Sequence, residues 1–284
     1  MTRVLALVLT LAVAFTAAPT LAQPDTLGKI KSTGVLTIGT RTGSPPFAYV
    51  NKSNEWVGFS IDLVEVLIKP EVEKLVGRPV KIEKKESTPP TRIPLLSSNA
   101  VDLIAGTMTD TPQRRESVDF SLTFFFTGAQ FLVKKGSPIK GINDIAGKRI
   151  ASQQASTNAK ILREKYPQAQ LREFPDQPAA FQALTQGQVD AFTNDGIQLA
   201  GIKAKAPNPG DWEIVGDFYS EEPYGMAMRK GDAKFKAAVD AGLRKAFESG
   251  KYFELYDKWF GPKGELPYPM TPRVRAYLLK QVGK

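Results

Sequence analysis

The chain has 284 residues, 42% hydrophobic and 24% charged, with a formal net charge of +9 and neither histidine nor cysteine. That apolar content suits one large or two medium cores, and it does not suit collagen, a coiled coil or a disordered chain. The two missing residue types exclude Ser-His-Asp and Cys-His nucleophile pairs, His-ligated metals, iron–sulfur clusters, disulfides and a cysteine for a lipid anchor.

The chain opens with the short basic run Met1-Thr2-Arg3, an almost wholly apolar stretch from Val4 to Ala18, and Pro19-Thr20-Leu21-Ala22. This pattern predicts a signal peptide over residues 1–22 cut after Ala22, its apolar part falling short of the roughly 20 residues of a membrane span. The rival is an uncleaved N-terminal anchor. Export to the periplasm of a Gram-negative cell is expected.

The body then alternates. Val35–Gly39 is expected as a strand, followed from Gly58 by a helix with Ile61, Val64, Leu67 and Ile68 on one face, interrupted at Pro70. Strand 79–83, helix 93–98, strand 101–105 and a helix start at Thr111-Pro112 follow, the last suiting a capped first turn. After a strand over 129–134, the order restarts with strand 149–152, helix 157–165, strand 170–174, helix 179–186 and strand 189–193. A helix from Asp232 carries Phe235, Val239, Leu243 and Phe247 on one face, with Gly250 as its C-cap. A second short helix ends at Trp259-Phe260. Such alternation predicts an α/β fold with mostly parallel sheets flanked by helices.

The restart has an internal echo. Residues 93–104 superimpose without gaps on residues 181–192, placing Leu96 on Leu184, Asn99 on Gly187 and Val101-Asp102 on Val189-Asp190. Two similar lobes are therefore expected. The same register sets Thr107 opposite Asp195, just beyond the carboxyl ends of equivalent strands, where open α/β sheets bind ligands. Arg41 and Ser156 are assigned equivalent places after the first strand of each lobe.

The motifs Gly34–Tyr49, Gly58–Leu63, Arg92–Leu96, Asp102–Arg114, Val118–Ser121, Val189–Asp195, Glu222–Met226 and Lys258–Phe260 occur in one order over most of the chain. In that order they resemble the periplasmic solute-binding proteins of polar amino acid ABC transporters, nearest the glutamate/aspartate branch. The resemblance implies a two-lobed type II periplasmic binding protein whose lobes are joined by two crossing strands, near 130–134 and 224–229. Lobe 1 would take residues 23–130 and 225–284, and lobe 2 residues 131–224. It implies a monomer that closes on its ligand and delivers it to an inner-membrane permease, without a cofactor.

The resemblance also implies roles. Arg114 would hold the ligand's α-carboxylate through a bidentate fork, with Thr107 and Thr109 beside it and Asp195 on the α-ammonium. Ser156 and Thr157 open a helix whose free N–H groups suit an anion, although Ala155 stands where a glycine is usual. Arg41 and Arg92 match the two arginines that hold a side-chain carboxylate. Pro89 and Gln177 stand where that branch carries serine and histidine, and Gln177 is retained as a candidate ligand contact. Phe47 and Tyr49 line the cleft or belong to the core.

The basic charge does not call for nucleic acid, because Lys and Arg are dispersed among acids, as in Glu83-Lys84-Lys85-Glu86. Two other classes remain. One is a dehydratase on the same fold, working through a cleft acid such as Glu173 or Glu222. The other is the sensing module of a receptor.

Overall fold

A computed structural model describes residues 25–284; the expected signal peptide lies outside the described residues. The strand Val35–Thr40 is buried at every position but its first, as a strand covered on both faces must be. It pairs in parallel with Lys81–Glu86 on one side and Leu103–Ile104 on the other. The sheet is completed by Ala227–Arg229, antiparallel to both its neighbours, and by Val118–Phe120 at the edge. The second sheet repeats this plan. Its order is Gln170–Phe174, Arg149–Gln153, Ala191–Asp195, Ala129–Lys134 and Trp212–Val215, with Ala129–Lys134 as the antiparallel member. In each sheet the antiparallel strand thus occupies the same place, and it is the one that arrives from the other lobe's part of the chain.

The internal echo is structural. Asn99 and Gly187 both sit at left-handed φ, 58° and 69°. Their N–H groups close equivalent helix ends, Asn99 on Leu96 and Gly187 on Leu184, followed by Ala100 on Leu95 and Gln188 on Ala183. Asp102 and Asp190 then play one part twice. Each exchanges bonds with the first strand of its sheet, Asp102 with Thr37 and Asp190 with Arg149.

One expectation changes at Pro70. The helix runs on through it, as Phe59–Asp62, a wider π segment Leu63–Ile68 and Lys69–Val76, and ends at Gly77. The N–H of Lys69 bonds back to Val64, five residues earlier. This wide turn places the proline in the first turn of the segment that follows, where its missing donor and fixed φ are tolerated.

The first sheet carries the larger core, where Phe47, Phe59, Phe124, Phe125, Tyr224, Tyr252 and Phe260 meet mostly edge to face. Phe47 is completely buried there, so it is a core residue and not a cleft wall. The helices Ala233–Ser249 and Lys251–Phe260 supply much of this core and meet at Gly250, at φ 85°. A further helix, Pro272–Lys280, is fastened by the Gln281 amide to the backbone of Thr123. Between the sheets, Phe125–Thr127 and Glu222–Tyr224 form a two-stranded antiparallel ribbon. No helix among the described residues is long and apolar enough to cross a membrane.

Candidate functional site

The carboxyl ends of the two sheets face each other across a tight cavity of about 20 Å³. Arg41, Pro89, Arg92, Thr107, Thr109 and Arg114 line it from the first lobe, and Gln153, Ser156, Thr157, Asn158, Asn194, Asp195 and Gln198 from the second.

Each arginine is positioned by a local feature. Arg41 leaves the end of the Val35–Thr40 strand; burial pulls its pKa down to about 10, partly countered by Asp176 and Glu86. With the Gln153 amide oriented to face its donors, its oxygen accepts from Arg41 Nη2 at 2.9 Å and from the Gln177 N–H at 3.2 Å. Arg92 opens the helix Arg92–Ser97, is 4% exposed, and donates from Nη1 to the Thr107 carbonyl at 3.0 Å. Its Nε has no partner among the described residues. Burial, then the positive charges of Arg41 and Arg114, hold its pKa well below the ordinary value. Arg114 lies in the short helix Pro112–Arg115, capped by Thr111, and donates to the carbonyls of Thr109 at 2.8 Å and, across the cleft, Ala155 at 3.4 Å. Among the described residues none of the three enters an ion pair. Arg115, by contrast, points outward to Asp110.

The opposing wall is anionic at one point. Asp195 ends the strand Ala191–Asp195 and accepts from Asn158 Nδ2 and Gln198 Nε2, both at 3.1 Å, and from the Tyr224 hydroxyl. Burial raises its pKa against those donors. Ser156 caps the helix Thr157–Lys165, accepting from Ala159 N at 3.0 Å and donating to the Gln153 carbonyl at 2.7 Å. Ala155 before it has φ 54°, the left-handed conformation for which a glycine is suited. The Thr157 hydroxyl donates to Glu222 at 2.9 Å.

The lobes are in direct contact around the cavity. Thr107 Oγ1 and Ser44 Oγ both reach Gln198 Oε1 at 3.2 Å, and Gln177 Nε2 reaches Ser44 Oγ at 2.6 Å. Gln177 is fully buried but is not among the lining residues; its amide braces one lobe against the other. The strand register also corrects one pairing. Ile38 aligns with Leu103 as Ile150 aligns with Ala191, so Gln153, not Ser156, is the counterpart of Arg41.

Sequence reasoning missed Gln153, Asn158, Asn194 and Gln198. Only Gln198 left a signal, standing three residues beyond Asp195 on the same helix face. Glu173 is ion-paired with Arg163 away from the cavity, and Tyr49 turns its hydroxyl to Glu265. A larger groove of about 760 Å³ is lined mainly by aromatic and apolar side chains such as Phe126, Phe218 and Tyr268. Its charged members Arg273 and Glu221 are largely exposed, so it lacks the converging buried charges of the cleft.

Residues 36–262 match the bacterial extracellular solute-binding proteins, family 3. The ABC transporter glutamine-binding protein of Bacillus subtilis is 36% identical, over 84% of this chain and 85% of its own length. The L-glutamate/L-aspartate-binding protein of Pseudomonas aeruginosa is 34% identical, over 91% and 89%. Among solved structures, an ancestral amino acid-binding protein, a precursor of cyclohexadienyl dehydratase, superimposes with a TM-score of 0.73 at 34% identity, covering 83% of this chain and all of that one.

Proposed function

The chain belongs to the bacterial extracellular solute-binding proteins of family 3, as an amino acid-binding component of ABC importers, and we propose that it captures an acidic amino acid, glutamate or aspartate ahead of their amides. The observation that carries the proposal is the pair Arg41 and Arg92, buried on one cavity wall with no carboxylate partner among the described residues. A buried cation without an anion is costly, and a side-chain carboxylate supplies the anion. In this reading Arg114 takes the α-carboxylate, with Thr107 and Thr109 beside it. Asp195 takes the α-ammonium, and the N-terminal turn at Ser156 and Thr157 adds donors from the second lobe. Gln177 acts by bracing the closed cleft.

The two lobes, expected as residues 23–130 with 225–284 and residues 131–224, close by rotation about the paired segments 125–127 and 222–224 rather than about 130–134 and 224–229, since Ala129–Lys134 lies within the second sheet and Ala227–Arg229 within the first. A signal peptide over 1–22 is removed, and the periplasmic monomer hands its ligand to an inner-membrane permease. A glutamine binder is the second reading, favoured by the glutamine-binding relatives and by the absence of a titratable group at Gln177. A thermal-shift panel of the twenty amino acids and small dicarboxylates tests both, since a ligand of the folded state raises its melting temperature. Glutamate or aspartate at the head of the panel supports the proposal; an amide or a basic amino acid there overturns it.

A further inference from the structure

Glu222 stands on the ribbon between the lobes, at the start of Glu222–Tyr224, and is almost wholly buried. One oxygen of its carboxylate receives the hydroxyl of Thr109 from the first lobe at 2.5 Å and that of Thr157 from the second at 2.9 Å. Ser220, on the approach to the ribbon, donates to the other oxygen at 2.6 Å. A single carboxylate therefore holds a hydroxyl from each lobe directly behind the cavity wall, and parting the lobes must break at least one of these bonds. We infer that Glu222 is a latch residue of the hinge and takes up a proton as the lobes close on the ligand. The inference rests on the binding reading above.

The charged and titratable groups around it are Asp195 at the end of its strand, Arg114 on its short helix, Tyr219 before the ribbon and Tyr224 within it. Burial first, then the charge of Asp195, pushes the Glu222 carboxyl up to about 7, against the three hydroxyls that hold it down. Opening returns the carboxyl to water and toward its ordinary range, so the closed form binds more protons than the open one. Between the two values closure consumes a proton, and affinity falls as pH rises through about 7. Above that window both forms are ionised and the dependence ends. The chain has no histidine or cysteine, so no side chain with an unshifted pKa titrates there. The ligand's ammonium beside Asp195 favours the ionised form of that carboxyl.

The test is calorimetric titration of the full mature protein with L-glutamate, or with L-glutamine if glutamate does not bind, at pH 6 to 8 in two buffers of different ionisation enthalpy. Neither ligand titrates in that range. Uptake approaching about one proton per ligand near pH 6, and an affinity that falls up to about tenfold per pH unit, are expected. Glu222→Gln removes the uptake, and Glu222→Asp retains it, which separates a titrating latch from a merely structural residue. Binding with no proton exchange in the wild type, or with equal uptake in the wild type and Glu222→Gln, overturns the latch while leaving the transporter reading intact. Failure to bind any amino acid overturns both.

Discussion

Replacing Arg92 by methionine separates what the site does for its ligand from what it costs the protein. The guanidinium is 4% exposed, gives one bond to the Thr107 carbonyl at 3.0 Å and leaves Nε unpaired among the described residues. Methionine fills similar space without charge. Exchanging an unpaired buried charge for an apolar side chain is neutral or stabilising by about 1–4 kcal/mol, and the lost carbonyl bond costs about 1 kcal/mol. The ligand-free variant is therefore expected to melt at or above the wild-type temperature, by about 2–4 °C for each kcal/mol gained. Glutamate loses charge-assisted hydrogen bonds of about 1.5–3 kcal/mol, a fall of about tenfold to 150-fold in affinity. Neutral amino acids lose far less. Scanning calorimetry of protein stripped of ligand by unfolding and refolding, followed by titration with glutamate and glutamine, reads both effects. A melting temperature lowered by several degrees, with glutamate affinity within a factor of two of wild type, would refute the reasoning.

Arg114→Ala should weaken every amino acid ligand alike, by about tenfold or more, because all share the α-carboxylate; a loss confined to acidic ligands would displace Arg114 from that role. Gly201→Ala should impair closure: a Cβ there would lie 2.0 Å from the Pro45 carbonyl oxygen of the opposite lobe. Ligand affinity should then fall at least about tenfold with the ligand-free stability kept or raised, since the competent state is depopulated while the helix gains a better former. Unchanged affinity by calorimetry would contradict the closing contact. Ala155→Gly should stabilise the protein by about 0.5–1 kcal/mol by relieving the left-handed φ of 54°; a lower urea midpoint would show that this conformation carries no strain.

Much of this architecture was legible because it rests on local chemistry. The register linking Asn99 to Gly187 and Asp102 to Asp190 could be read from one alignment, since each pair ends a helix or ties down a strand in the same way. Thr111, Asp232 and Gly250 marked helix ends for the same reason. What escaped depends on contacts between the lobes. Gln153 and Gln198 are ordinary polar residues until the facing lobe buries them, and the strand expected at 189–193 lies two residues later, carrying Asn194 and Asp195 to the cavity. Pro70 misled because the π turn before it, which sets the proline in the first turn of the following segment, leaves no mark in the spacing of the apolar residues. Glu222 could be seen as a cleft acid, but two of its three hydroxyl partners, Thr109 and Thr157, come from residues far from it in the chain.

The central claim is that two buried arginines make this an acidic amino acid site, and the direct measurement is isothermal titration of ligand-stripped wild-type protein with glutamate, aspartate, glutamine and asparagine at one pH and ionic strength. A neutral amide leaves Arg41 and Arg92 without an anion, so the tighter acid should exceed the tighter amide by about tenfold or more. Either amide binding tenfold more tightly than both acids would contradict the claim and show that Pro89 and Gln177 outweigh the arginines.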